Sequence, residues 1–325
     1  MTENNELKNI KLTSDTQSLI NVVNQLFPGE VTVQFIGSLK AGFVRHDQAQ
    51  IVQDGEKLYV QVSDLTEPNF IASHELLHLL MTLKGFPQVY FPLTSGDDKL
   101  DEQLQYVGTE LYDLVCHFVV NDEQRKHGMI TDKIKEEYFK GIRHTLSPEI
   151  GEIDGEMILR LVTLLDGFVF FGSEISKFED QLIKTFPIAY DAAKKLYKKL
   201  NDKPVDSPFT LRRKVVMLFN AFDEQLKECK LPALQLNNFA MLTSVLSERQ
   251  LKLKVNQVFD IYHSELMYAE TGKRAYVGFT KSDDQNSFVA DGPTGEKESA
   301  EYFKTLYDKT VKELFEDLKI PYLIR

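Results

Sequence analysis

His74 and His78 stand four residues apart in "IASHELLHLL" (71–80), and Glu75 directly follows the first of them. On a helix, residues four apart lie one turn above the other, so both imidazoles can bring a nitrogen to one tetrahedral ion. Glu75 sits one residue round, close enough to hold a water at such an ion without ligating it. There it can take a proton from water attacking a carbonyl and return it to the leaving amine. The bland alternative is a pair of core histidines satisfied by backbone carbonyls. Chance alone would produce H-E-x-x-H roughly 0.01 times in a chain of this composition.

The surrounding residues must position this set. Proline suits a first helical turn, so the helix starts near Thr66 to Pro68, and Gly85 with Pro87 ends it. Between them Phe70, Ile71, Leu76, Leu77, Leu79, Leu80, Met81 and Leu83 cover nearly the whole circumference. Such a helix is buried, and buried ionisable groups need partners. A second helix is expected from about Asp101 to Lys126, with Leu104, Val107, Leu111, Leu114, Val115 and Phe118 as its core stripe. At 100° per residue, Gln103, Glu110, His117 and Asn121 fall in a narrow polar sector beside that stripe, with Asp113 at its edge.

Upstream, residues 15–27 have helical spacing and "VTVQFIGS" (31–38) is β-rich. Asp54-Gly55 suits a hairpin turn, and Leu58, Val60 and Val62 alternate with polar residues in its second arm. A small, largely antiparallel sheet is therefore expected before the histidine helix. From about residue 131 the pattern reads as helical, near 132–143, 152–171, 174–186, 188–201, 208–228, 235–248, 250–269 and 298–318. The most apolar stretch, 158–172, is broken by Arg160 and Asp166. Residues 278–299 read as a solvated irregular loop over a cleft. The fold class is thus α+β, with an α/β part over 1–130 and a helical part over 131–325 forming the other cleft wall.

Strand, H-E-x-x-H helix and a second helix with an acidic residue resemble the zincin metallopeptidases of the gluzincin type, over residues 31–128. No histidine follows His78 where the metzincin extension would need one. The resemblance implies Zn²⁺ held by His74 and His78, Glu75 as general base, and a glutamate on the next helix as third ligand. Glu110 is the best match, with His117 or Asp113 as alternatives. Asp113 follows Glu110 by three residues rather than the usual four, which leaves its place behind a ligand histidine open. The resemblance also implies an oxyanion donor, for which Tyr262 and His263, expected on a late helix, are the candidates. His46 and His127 read as surface residues, and His144 as a helix-end residue.

The 325 residues are 42% hydrophobic and 27% charged, ordinary for a globular chain. A net charge of −11 argues against nucleic acid or an anionic membrane surface as main partner. The polar N-terminus lacks a leader's apolar region, no run suits a membrane helix, and two cysteines without C-x-x-C spacing fit a reducing cytoplasm. The resulting expectation is an intracellular zinc peptidase acting on a peptide or protein. A non-catalytic zincin scaffold and a helical interaction protein with an accidental HELLH are the competing readings. About one zinc per chain should be found by metal analysis of protein purified without chelator, and it should vanish when both His74 and His78 are replaced by Ala.

Overall fold

A computed structural model describes residues 10–293 and 296–325 of the chain. Most of the polar N-terminal stretch, and residues 294 and 295 of the expected loop, lie outside the described residues. The fold is α+β, with several small sheets. It divides into two compact units that run across the boundary expected at residue 130. The first contains residues 10–84 and Cys116–Asp202, the second Gly85–Val115 and Lys203–Arg325.

The first unit opens with helix α1 (Ser14–Leu26), capped by the Thr13 hydroxyl, which accepts from the Thr16 amide at 3.3 Å. Strands β1 (Glu30–Leu39), β2 (Ala49–Asp54) and β3 (Lys57–Asp64) form a sheet in the order β1-β3-β2. The β2–β3 hairpin turns at Gly55, whose φ of 60° is the left-handed conformation expected of that position. However, β1 runs parallel to β3, so the sheet is mixed rather than largely antiparallel. Residues 40–48 carry the chain across instead of closing a hairpin. Fully buried Asp64 secures this crossing, accepting from the Ala41 amide at 3.0 Å and the Thr66 amide at 2.7 Å.

Helix α2 (Pro68–Leu83) carries the H-E-x-x-H residues, starts on its proline and packs on α1 and the sheet. Its apolar circumference explains why Phe70, Ile71, Leu76, Leu77, Leu79 and Leu80 are all buried. Helix α3 (Asp98–Lys126) supplies its second half, from Cys116 onward, to this unit. Helices α4 (Asp132–Thr145), α5 (Met157–Phe171), α6 (Glu179–Thr185) and α7 (Pro187–Leu200) complete it. The two polar interruptions of apolar α5 both find partners. Arg160 donates to Asp154 at 2.6 Å and to the Ser147 carbonyl at 2.8 Å, while Asp166 enters the site described below.

In the second unit β4 (Val89–Tyr90) and β5 (Leu93–Thr94) precede the first half of α3, and α8 (Pro208–Glu228) follows with a Ser207 cap. Beyond it the expected helices at 235–248 and 250–269 are largely replaced by strands. Short helices α9 (Leu236–Phe239), α10 (Glu248–Leu251) and α11 (Val255–Val258) alternate with β6 (Met241–Leu242), β7 (Ser244–Leu246) and the long β8 (Phe259–Tyr268). β8 pairs antiparallel with β9 (Lys273–Thr280) and β5, and β9 with β10 (Asn286–Ala290). Aromatic and β-branched residues such as Phe259, Ile261 and Tyr262 favour this pleated surface over a helix. β10 is buried along its length, so this part of the supposed solvated loop is core. Helices α12 (Glu296–Asp308) and α13 (Val311–Asp317) and strand β11 (Tyr322–Ile324) end the chain. Phe259, Phe288, Val311 and Phe315 join the hydrophobic cluster of this unit.

One close approach in the first unit bears on the site. Gly141 of α4 faces the Val44 carbonyl, and a Cβ at 141 would collide with it. The same strand of backbone is tied to α4 by the Val44 amide donating to the Glu137 carbonyl at 3.1 Å, two residues before His46. Gly141→Ala would gain about 1 kcal/mol of helix propensity, but the clash is with backbone that cannot swing aside. A net loss of about 1–2 kcal/mol is expected, read as a lower urea midpoint at unchanged slope. An unchanged midpoint would show that the Val44 segment yields.

Candidate metal centre

Four imidazoles and a carboxylate converge inside the first unit. His74 and His78 come from α2, one turn apart, and His117 from α3. His46 comes from the short turn His46–Gln48 before β2, and Asp166 from the middle of α5. The Nε2 atom of His74 lies 3.2 Å from Nε2 of His117 and 3.2 Å from Nε2 of His78. Hydrogen bonding among the rings cannot satisfy this arrangement. His74 Nε2 carries either one proton or one lone pair, and it faces two nitrogens.

A shared cation does satisfy it. Zinc–nitrogen bonds of 2.0–2.1 Å place neighbouring ligands of a tetrahedron about 3.3 Å apart, close to both separations seen. His117 has the support that metal-bound histidines usually have: its Nδ1 lies 2.6 Å from Asp166 Oδ1. The second Asp166 oxygen meets His46 Nε2 at 2.8 Å and also accepts from the Tyr138 hydroxyl on α4. The His46 ring stacks on His74, with centroids 4.4 Å apart, and lies tilted against His117 at 4.3 Å. His46, His74 and His117 are one of the groups of residues whose ligand atoms lie close enough to hold a metal ion.

Burial sets the protonation states. Desolvation, reinforced by neighbouring imidazoles, holds His74 and His78 well below the usual histidine range. His117 is also lowered by burial, which outweighs the opposing pull of Asp166. Neutral imidazole is the form that offers a lone pair to a metal. Burial opposes the charge of Asp166, but His117 and His46, by charge and hydrogen bond, more than offset it and hold its carboxyl well below the carboxylate range. Glu75 is pushed up to about 7 by burial.

Thus His74, His78 and His117 come together, with Glu75 on the same helix as the first two. Glu110 lies seven residues before His117 on α3, about 10 Å along the helix axis, and belongs with Asp113 to the second unit. Tyr262 and His263 lie on strand β8 of that unit, not on a helix. Tyr262 lines a cavity of about 620 Å³ there, and His263 stacks on Tyr276 at 4.6 Å. His46, expected at the surface, is instead a member of the cluster. No pattern in residues 43–48 announces it. Asp166 did carry a signal, since a carboxylate within an apolar helix requires a partner. His127 is exposed, and His144 lies in the last turn of α4. No protein-family profile, curated protein or solved structure matches this chain.

From sequence, Glu110→Ala would be expected to weaken zinc binding more than Asp113→Ala or His117→Ala; the geometry supports the order with His117→Ala first. Chelator competition on the three variants discriminates. Asp166→Asn, which removes the anionic acceptor behind His117, should weaken zinc binding about 10- to 100-fold. Unchanged affinity would mean that His117 does not rely on this carboxylate.

Proposed function

We propose that this chain is a zinc-dependent hydrolase of peptide bonds. The observation that carries the reading is the position of His74 Nε2, equidistant at tetrahedral spacing from His78 and His117. Three neutral protein ligands leave a fourth position open, the arrangement of catalytic rather than structural zinc sites. When bound, zinc supplies a Lewis acid for the scissile carbonyl and acidifies water to a pKa of about 7.

The protein's own groups divide the remaining work. His74, His78 and His117 hold the ion, and Asp166 fixes the His117 ring by accepting a hydrogen bond from its Nδ1–H. Glu75 accepts a proton from the attacking water and delivers it to the leaving amine as the C–N bond breaks. A site that only held a metal would have no use for that carboxylate. The choice of a peptide bond rests on the zincin resemblance of residues 31–128, now with His117 in the place of the third ligand.

Glu75→Gln tests the reading. The amide cannot accept the proton, so cleavage of a broad peptide library should fall by about 10²- to 10⁴-fold while zinc content stays near one per chain. Wild-type cleavage should also stop on chelation. Equal turnover by the two proteins would exclude Glu75 as the base. A zinc-loaded wild type that cleaves nothing would leave a binding scaffold.

A further inference from the structure

Next to the metal cluster, between α2 and α3, lies a second group of polar atoms. Asn121 is fully buried, one turn beyond His117 on α3, and neither its Oδ1 nor its Nδ2 has a hydrogen-bond partner. His74 Nδ1 and Gln124 Oε1 are likewise buried without partners. Gln124 is otherwise anchored: its Nε2 donates to the Phe70 carbonyl at 3.0 Å and to Ser73 Oγ at 2.9 Å. Ser73 in turn donates to the Phe70 carbonyl at 2.8 Å.

Contacts above and below fix the register of the two helices. His117 meets His74, and Gln124 meets Ser73. Asn121 lies between His117 and Gln124 on α3, and both of these meet the Ser73–His74 stretch of α2. The orphan atoms are also complementary in kind. If His74 gives its Nε2 lone pair to a metal, its Nδ1 must carry a proton and needs an acceptor. Asn121 offers one acceptor and two donor hydrogens, and Gln124 Oε1 is an acceptor three residues further along the same helix. Two hydrogen bonds would satisfy all four atoms, and buried polar groups left unmatched are costly.

We propose that Asn121 is a positioning residue of the metal centre. A turn of its side chain, away from the partnerless position it has here, lets its Oδ1 receive the His74 Nδ1–H of the metal-bound tautomer and its Nδ2–H reach Gln124 Oε1, extending the chain of hydrogen bonds to the Phe70 carbonyl. This relay holds His74 in the tautomer whose Nε2 faces the metal, as Asp166 does for His117. The inference rests on the metal-centre reading above. It assigns to Asn121 a role that neither metal ligation nor general-base chemistry requires.

The experiment compares zinc affinity, by chelator competition, in the wild type, Asn121→Leu and Asn121→Asp. Leucine keeps the branched shape of asparagine but accepts nothing, and should weaken zinc binding about 10- to 100-fold. Aspartate keeps an acceptor for Nδ1–H and should restore most of that loss, which a purely packing role would not produce. Nitrogen-15 NMR of the zinc-loaded wild type supplies a readout independent of any variant's folding. His74 should show a slowly exchanging Nδ1–H with a cross-relaxation peak to the Asn121 amide. Affinity unchanged in Asn121→Leu, or a His74 proton found on Nε2, would overturn the relay while leaving a zinc-binding wild type intact. A wild type that takes up no zinc would overturn the metal centre itself.

Discussion

The hydrogen bond between His117 and Asp166 is the interaction on which the first unit is organised. A carboxylate in the middle of an apolar helix must be matched by donors, because no water is there to solvate it. Three arrive from three directions: His117 from α3, His46 from the turn before β2 and Tyr138 from α4. One side chain of α5 therefore ties together segments more than a hundred residues apart. The requirement is electrostatic, and packing serves it. Apolar α2 and α5 surround the carboxylate, and that apolar surround makes each of its hydrogen bonds matter.

The same burial gives the cluster its chemical character. Exposed histidines titrate near neutrality and compete with solvent for a metal. Here desolvation lowers three imidazoles and so favours the form that offers a lone pair, while the adjoining carboxyl is held well below the usual carboxylate range. His74 Nε2 lies 3.2 Å from a nitrogen of His78 and of His117, and an anion backs the His117 ring. That suits a divalent cation better than it suits a hydrogen-bonded core, where His74 Nε2 could serve only one of its two neighbours.

Local chemistry made part of this legible from residues alone. Pro68 and Gly85 bracket α2, Asp54-Gly55 marks the hairpin, and the spacing of His74 and His78 places them on one face. The polar sector of α3 contains His117, but rotation about a helix axis cannot say which of Glu110 and His117 meets a ligand on another helix. Height along the axis decides that, and height is a tertiary quantity. His46 was illegible because only the crossing of residues 40–48 brings it to the cluster. Around 235–290 the failure is different. Aromatic and aliphatic residues such as Val255, Val258, Phe259 and Tyr262 fit a helical face, yet the last two belong to a strand paired with β9. Partners distant in sequence settle such ambiguity.

The clamp at Asp64 has a mechanical side. Its two oxygens fasten the backbone at Ala41, just past the end of β1, and at Thr66, in the step from β3 to α2. Only three residues separate it from the first residue of α2. From there His74 lies six residues along, about 9 Å of helix rise. The lever arm is short, and one degree of play at the clamp displaces the imidazole by only about 0.2 Å. That is comparable with the tolerance of about 0.2 Å within which metal–ligand distances normally fall. For the ion proposed above, a site mounted this way would need little of the binding free energy to be spent on arranging the chain.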